Sequence, residues 1–255
     1  ENAGMTARED LRKTGAEIRQ QLGIADRTGP ELAPGFSNLT DELVFGRIWS
    51  RPGLALEDRM LATLAALTSK QYLPQLAKFV AAALHIGFES RLIQEVMLHC
   101  AMYAGVPTAV NSLDVVRGVL AEMNIAQPEA ELEEADLNEL LTMGQGMMRA
   151  LHGERAESGY AAPAAAASGL YGSAIDYLYG EIWNRPGITH RQRMICSIAA
   201  FSALQLESQQ RKFLPSALNV DLSRAEILEV IIQTGPYTGF PQAFNALAVA
   251  EEVLP

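Results

Sequence analysis

Apolar residues recur every three to four positions along most of the chain, and no segment alternates convincingly with a period of two. That spacing predicts helices throughout. The first, AREDLRKTGAEIRQQLG, sets Leu11, Ile18 and Leu22 on one face and stops at Gly23. A second covers about 40–49 and ends at Arg51-Pro52-Gly53, where proline and glycine break it. Beyond that turn come LEDRMLATLAALTS, then YLPQLAKFVAAALHIG stopped by Gly87, then SRLIQEVMLHCAMYAG stopped by Gly105. Pro107 falls in the first turn of PTAVNSLDVVRGVLAEM, where its missing N–H has no helical partner to lose. Further on, LNELLTMGQGMMRALHG resembles the first helix, and its methionines at helical spacing read as core.

The helical pattern is written twice. GRIWSRPGL begins at Gly46 and GEIWNRPGI at Gly180. A shift of 134 positions, without a gap, makes 28 of the 80 residues in 41–120 identical to their counterparts. Chance gives only a few, so the chain is a tandem duplication. Arg59-Met60 falls on Arg193-Met194, Lys78-Phe79 on Lys212-Phe213, and Glu95-Val96 on Glu229-Val230. Tyr103, Gly105 and Pro107 fall on Tyr237, Gly239 and Pro241. The expected organisation is a first repeat with its N-terminal helix over 1–124, a linker and helix over 125–168, and a second repeat over 169–255. The acidic run 127–135 reads as a solvated linker and helix start, and AAPAAAASG at 161–169 as a low-complexity linker. In the second copy Thr189 is a good N-cap. The fold class is all-α, with two helical units facing each other as a pseudo-dimer.

Composition narrows the function. A net charge of −10 and no basic run interleaved with aromatics argue against nucleic-acid binding. No apolar stretch approaches the roughly 18–20 residues of a membrane span. The opening ENAGMTARED has no apolar core, so it is not an intact signal peptide, although one removed earlier would leave no trace there. Cys100 and Cys196 occupy non-equivalent positions of the two repeats, which argues against a structural disulfide and for a reducing, cytoplasmic setting.

Several chemistries lack their motifs. The chain has no phosphate-binding glycine loop, no GxGxxG after a strand and no GxSxG elbow. Its four histidines, His85, His99, His152 and His190, show no metal-ligand spacing, so no metal is expected. Cys100 reads as a small buried hydrophobe, Trp49 and Trp183 as core anchors, and Arg51-Pro52-Gly53 as a helix stop. The polar residues on otherwise apolar helices stand out: Arg59, Lys78, Glu95 and His99, with Arg193, Lys212, Glu229 and Gln233 in the second copy. Glu95 and His99 are four apart and share a helix face. Burying such charges is costly unless they are paired. One reading makes Arg59 and Arg193, with Glu95 and Glu229, ion bridges that lock helices together. The other makes them a site.

The stretch GRIWSRPGL…R…LATLAAL…FVAAALHIGF…IQEVMLHCAMYAGVPTA resembles the carboxymuconolactone decarboxylase family, which includes alkyl-hydroperoxidase D-like proteins. The resemblance covers about 8–122 and again about 136–254. It implies small all-helical units that assemble as trimers or hexamers, and here a trimer of tandem chains. The repeated phrase then marks the helix and turn that open each unit.

The departures limit what is carried over. Where the peroxidase branch has C-x-x-C, this chain has Gln71 and Pro74, then Gln205 and Ser208, so thiol peroxidase chemistry is not expected. Where the decarboxylase branch has His in L-H-V-R-x-A-L, this chain has Lys78 and Lys212. At the position of His99 the second repeat has Gln233, so two sites would differ chemically. The expected function is a cofactor-independent enzyme acting on a small anionic or enolisable compound, a lactone or β-keto acid. In it Lys78, Lys212, His99, Glu95 and Glu229 are the catalytic candidates, and Arg59, Arg193, Tyr103 and Tyr237 the substrate-binding ones. A further expectation pairs Lys78 with Glu95 as a fixed cation, leaves proton work to His99, and makes the first repeat the more active. The rival is a non-catalytic binding or scaffold protein on the same fold.

Overall fold

The computed structural model describes residues 3–26, 28–129, 132–156 and 167–255, so residues 161–166 of the small-residue linker lie outside it. Among the described residues every regular element is a helix. The first repeat runs α1 (Ala3–Gln21), α2 (Phe36–Thr40) continuing as a π-helical segment (Asp41–Trp49), α3 (Leu56–Lys70), α4 (Leu73–His85), α5 (Ser90–Ala104) and α6 (Val106–Glu122). After α7 (Leu137–His152), the second runs α8 (Ser168–Ser173) into a π segment (Ala174–Glu181) and a 3₁₀ turn (Ile182–Asn184). It closes with α9 (His190–Leu204), α10 (Glu207–Ala217), α11 (Arg224–Thr238) and α12 (Phe240–Val253).

Local chemistry sets these boundaries. Asp136, Thr189 and Ser223 each accept from the backbone of the following first turn. Glu139, Gln192 and Glu226 reach back to complete capping boxes for α7, α9 and α11. Gln71 and Gln205 end α3 and α9 in the left-handed conformation (φ 56° and 57°). Their side-chain amides explain why glutamine suits that place. Each donates to a carbonyl of its own last turn, Thr68 or Ser202, and to the first turn of the α-helix three further along, at Thr108 O of α6 or Gln242 O of α12. Asn111 and Asn245 donate back to them. The positions that hold the first thiol in the peroxidase branch are here structural clasps.

The second expected helix begins earlier than its apolar pattern, at Phe36, and widens into a π segment from Asp41. The same widening recurs at Ala174–Glu181. On each π segment a glycine, Gly46 or Gly180, lies against the backbone of the preceding long helix, at Leu11 O or Leu140 O. Those helices reply with Gly15 and Gly144, which face the Asp41 and Ile175 carbonyls. Thus α7 packs on the second repeat's π segment as α1 packs on the first's.

One hydrophobic core draws on both repeats. Its centre is α3 against α9, where Asp58 through Ser69 and Arg193 through Ala203 are buried without a break. Trp49 and Trp183 are buried anchors, and Met147 and Met148 of α7 join the core. Arg191 ties the units further, donating to Asp58 at 2.8 Å and to Glu226 at 2.7 Å. No helix among the described residues is long and apolar enough to cross a membrane.

Candidate functional site

Helix α5 presents Glu95, His99 and Tyr103 at intervals of four, on one face directed at α9. Helix α11 presents Glu229, Gln233 and Tyr237 in the same way to α3. Each polar cluster therefore takes its carboxylate from one repeat and two arginines from the other.

In the first cluster Arg51 and Arg59 converge on Glu229. Arg51 Nη2 donates to its Oε1 at 2.6 Å and Arg59 Nη2 to its Oε2 at 2.9 Å. Arg59 also donates to Gln233 Oε1 (3.0 Å) and to the Arg51 carbonyl (2.7 Å), which fixes the turn ahead of α3. Gln233 Nε2 donates to Thr63 Oγ1, and Trp49 Nε1 donates to the Tyr237 hydroxyl at 2.6 Å. Burial pushes the Glu229 carboxyl up, but the hydrogen bonds from Arg51 and Arg59 outweigh it and hold the pKa below the ordinary carboxylate value. Burial also raises the Tyr237 phenol, so it stays protonated.

In the second cluster Glu95 receives three arginines. Arg185 Nη2 donates to Oε1 (3.0 Å), Arg193 Nη2 lies 3.3 Å from Oε2, and Arg91 Nη2 pairs with Oε1 at 2.9 Å. The counterpart of Arg91 in the second repeat is Ala225, so this cluster carries one cation more than the first. His99 Nε2 lies 2.7 Å from Ser197 Oγ, and Ser197 lies 3.4 Å from the Tyr103 hydroxyl, to which Trp183 Nε1 donates at 3.3 Å. Burial, then the charge of Arg193, pushes His99 well below the ordinary histidine range, so the imidazole is neutral. Arg193 Nε and Nη1 and His99 Nδ1 are buried without a hydrogen-bond partner. Burial lowers the Arg193 pKa, and Glu95 offsets only part of that.

The structure corrects the placement of Lys78. It lies exposed on α4, and Glu95 is held by arginines instead. Lys212 is half-buried and lies over the Tyr179 ring, 6.0 Å from its centroid. Arg59, Arg193, Glu95, Glu229, His99, Tyr103 and Tyr237 come together in the two clusters, whereas Lys78 lies on α4 and Lys212 on α10. The anticipated arginine–glutamate bridges exist, but each crosses between repeats.

Three groups escaped the sequence reading. Arg51 and Arg185 read as part of a turn, although a turn needs only the proline and glycine, and their identity in both copies was the available signal. Thr63 and Ser197 carry the hydroxyls that meet Gln233 and His99. His152 of α7 is buried, with Nδ1 2.7 Å from Ser216 Oγ and Nε2 3.0 Å from the Tyr179 hydroxyl. Both cysteines are free and buried. Burial raises the Cys100 thiol to about 12 and Cys196 well above its ordinary value. Neither is a thiolate nucleophile at neutral pH.

Arg185 also lines a cavity of about 340 Å³ with Asn184, Pro186, Leu132 and Glu134, while Glu95, His99 and Arg193 do not reach it. A larger open hollow of about 630 Å³ along Glu133–Met143 contains none of the candidate residues.

Residues 34–118 and 170–252 match the model of the carboxymuconolactone decarboxylase family. A 4-carboxymuconolactone decarboxylase of Acinetobacter baylyi is 31% identical over 91 residues, which is 36% of this chain and 68% of that protein. A nitrosuccinic acid decarboxylase of Metarhizium robertsii is 30% identical over 94 residues, 37% of this chain and 65% of that protein. An uncharacterized 15.0 kDa protein of Paracoccus denitrificans is 35% identical over 83 residues, 32% of this chain and 62% of that protein. The chain thus spans about two thirds of the length of each, and each alignment has the size of one repeat.

Proposed function

From the carboxymuconolactone decarboxylase family, to which this chain belongs, we propose a cofactor-independent decarboxylase acting on a small carboxylic acid that leaves an enolate, such as a lactone acid or β-keto acid. The observation that carries this reading is the cluster around Glu95. It combines three guanidiniums, two unpartnered donors on Arg193, and a neutral histidine hydrogen-bonded to a serine.

Loss of carbon dioxide leaves an electron pair that must be held until carbon is protonated. Fixed cations in a dry site stabilise that charge without reorganising. Arg185 and Arg193 supply them. A neutral imidazole can deliver a proton and recover it, and Ser197 and Tyr103 give the route by which it is replaced. The first cluster has Gln233 in place of His99, and an amide does not titrate. Proton transfer is therefore assigned to the second cluster alone, with Glu95 and Glu229 orienting arginines and Tyr103 and Tyr237 closing each site. Three tandem chains around an axis would present six family units.

The test measures carbon dioxide release from 4-carboxymuconolactone and nitrosuccinate, the acids named for two relatives, by the wild type and by His99→Gln. Release by the wild type that falls at least about 100-fold in the variant supports the assignment. Equal release by both rejects it.

A second reading, a binding or scaffold protein, is favoured by the near-complete burial of Arg59, Glu95, His99 and Arg193, each at most 1% exposed. On that reading the clusters are clamps between repeats. It predicts no turnover of any acid and a large loss of stability when a carboxylate is removed.

A further inference from the structure

The cluster around Glu95 is richer in cations than its twin, and drier. Arg91, Arg185 and Arg193 surround the carboxylate, with side-chain exposures of 24%, 14% and 0%. Among the described residues, the other carboxylate paired with them is Glu181, 3.6 Å from Arg185 Nη1 and 37% exposed. Around Glu229 the surplus cation is Arg51, 41% exposed, which water can meet. Arg91 Nε, Arg193 Nε and Arg193 Nη1 are buried without a hydrogen-bond partner, whereas around Glu229 only Arg59 Nε is. A guanidinium N–H donates and never accepts, so only an acceptor satisfies these groups. Buried donors left bare are rare in folded proteins. A surplus positive charge out of water draws a negative acceptor more strongly than a neutral one.

The two copies differ where this matters. Arg91 stands where the second repeat has Ala225, and Glu181 stands where the first has Arg47. Arg185 joins cluster to cavity. Its Nε and Nη2 donate to Glu95, both at 3.0 Å, and it lines the cavity of about 340 Å³ together with Glu181. Arg91 lies along the same turn, where a Cβ on Gly187 would sit 3.0 Å from its Cγ.

We propose that the Glu95 cluster is a site for one small monovalent anion, held by Arg91 and Arg193, which enters from the cavity when Arg185 exchanges Glu95 for Glu181. The exchange leaves Arg185 paired, because Glu181 already lies beside its Nη1. Glu95 keeps Arg91 and Arg193 meanwhile, so its charge is not stranded. On its return Arg185 closes the path behind the anion. No covalent bond changes. In the first repeat the same movement has no second carboxylate to receive Arg51, since Arg47 would repel it. Glu95, His99 and Arg193 are each fully buried, so the ligand has few atoms. The site rests on the cluster used by the decarboxylase reading, where it would receive the acid's carboxylate. Formate leaves no enolate, so its binding is measured apart from turnover.

The full chain is titrated with sodium formate at constant ionic strength, with sodium gluconate, a bulky monovalent anion, as the balancing salt. Formate should raise the thermal midpoint saturably, as a ligand of the folded state does, and gluconate should not. Arg91→Ala, which installs the residue of the other copy, should raise the half-saturating concentration at least about tenfold. Glu181→Gln should slow formate exchange, read from its carbon-13 line width, by about two- to fivefold. An equal midpoint in both salts, or a half-saturating concentration unchanged by Arg91→Ala, overturns the anion site and leaves the bare donors to water. An exchange rate unchanged by Glu181→Gln overturns the gate. Formate binding by a chain that releases carbon dioxide from neither acid supports this site and rejects the decarboxylase reading. Turnover without formate binding does the reverse.

Discussion

Arg59 of α3 donates to Glu229 of α11 at 2.9 Å, across the boundary between the repeats, and both side chains are buried. Arg193 and Glu95 form the mirrored pair. The two halves are therefore held not only by apolar contact but by the buried charges of Arg59 and Arg193, each met by a carboxylate of the other half.

Removing one partner of such a pair leaves the other charged and dry, at a cost of about 3–5 kcal/mol. Glu95→Gln should reach that range, because Arg193 is fully buried. Glu229→Gln also strands Arg59 but should cost less, since Glu229 is 8% exposed against 0% for Glu95, and its other arginine, Arg51, is 41% exposed and can turn to water. Urea unfolding of the two variants tests the order, and the reverse order would reject the account.

Acid should weaken the fold before carboxylates titrate. The folded pKa values of His99 and His152 are lowered, the latter to about 3, so the unfolded chain takes up protons first. Stability is then level above about pH 6.5 and falls as pH drops toward 3, with His152 contributing at most about 5 kcal/mol. The urea midpoint should fall between pH 7 and pH 5, and His152→Gln should flatten that slope. An unchanged slope would show that His152 is not the source.

Glycine content separates close crossings from open helix. A methyl at Gly144 would collide with the Ile175 carbonyl, so Gly144→Ala should destabilise by several kcal/mol. Gly146, two residues on in the same helix, faces nothing within 4 Å, and Gly146→Ala should stabilise by about 0.5–1 kcal/mol. Thermal melts of the two variants give opposite signs if the crossing is as described.

The cysteines should be inert in the folded chain. A Cys100→Ala, Cys196→Ala double variant should keep any turnover and lose only packing energy, about 1–2 kcal/mol per site. A thiol reagent should titrate no cysteine until urea unfolds the wild type. Rapid labelling under native conditions would contradict their burial.

The helices were legible because their apolar period is sustained and their stops carry glycine or proline. Burial of Trp49, Trp183 and Cys100 followed from the same pattern. The spacing of Glu95 and His99 placed them on one face. It did not say which arginine that face meets, because a repeat reveals equivalence and not partnership. Pairing Lys78 with Glu95 failed for that reason: the lysine sits on an outer face of α4 and the carboxylate turns toward the other repeat. Arg51 and Arg185 were hidden inside a phrase already explained as a turn. His152 has no repeat-based signal, since both long helices run to a positive-φ glycine, Gly23 and Gly153, but the residue before it is Leu22 in one and His152 in the other.

In an association of two identical chains, every change of sequence strikes both symmetric places at once. Joining the units in one chain removes that constraint. His99 can persist while its twin becomes Gln233, and Arg91 can persist while its twin becomes Ala225. Each such change is tested against one half of the molecule, with the other half still supplying the buried arginines and carboxylates that keep it folded. The fusion thus lets a single gene product specialise by division of labour, which a symmetric pair cannot do without a second gene.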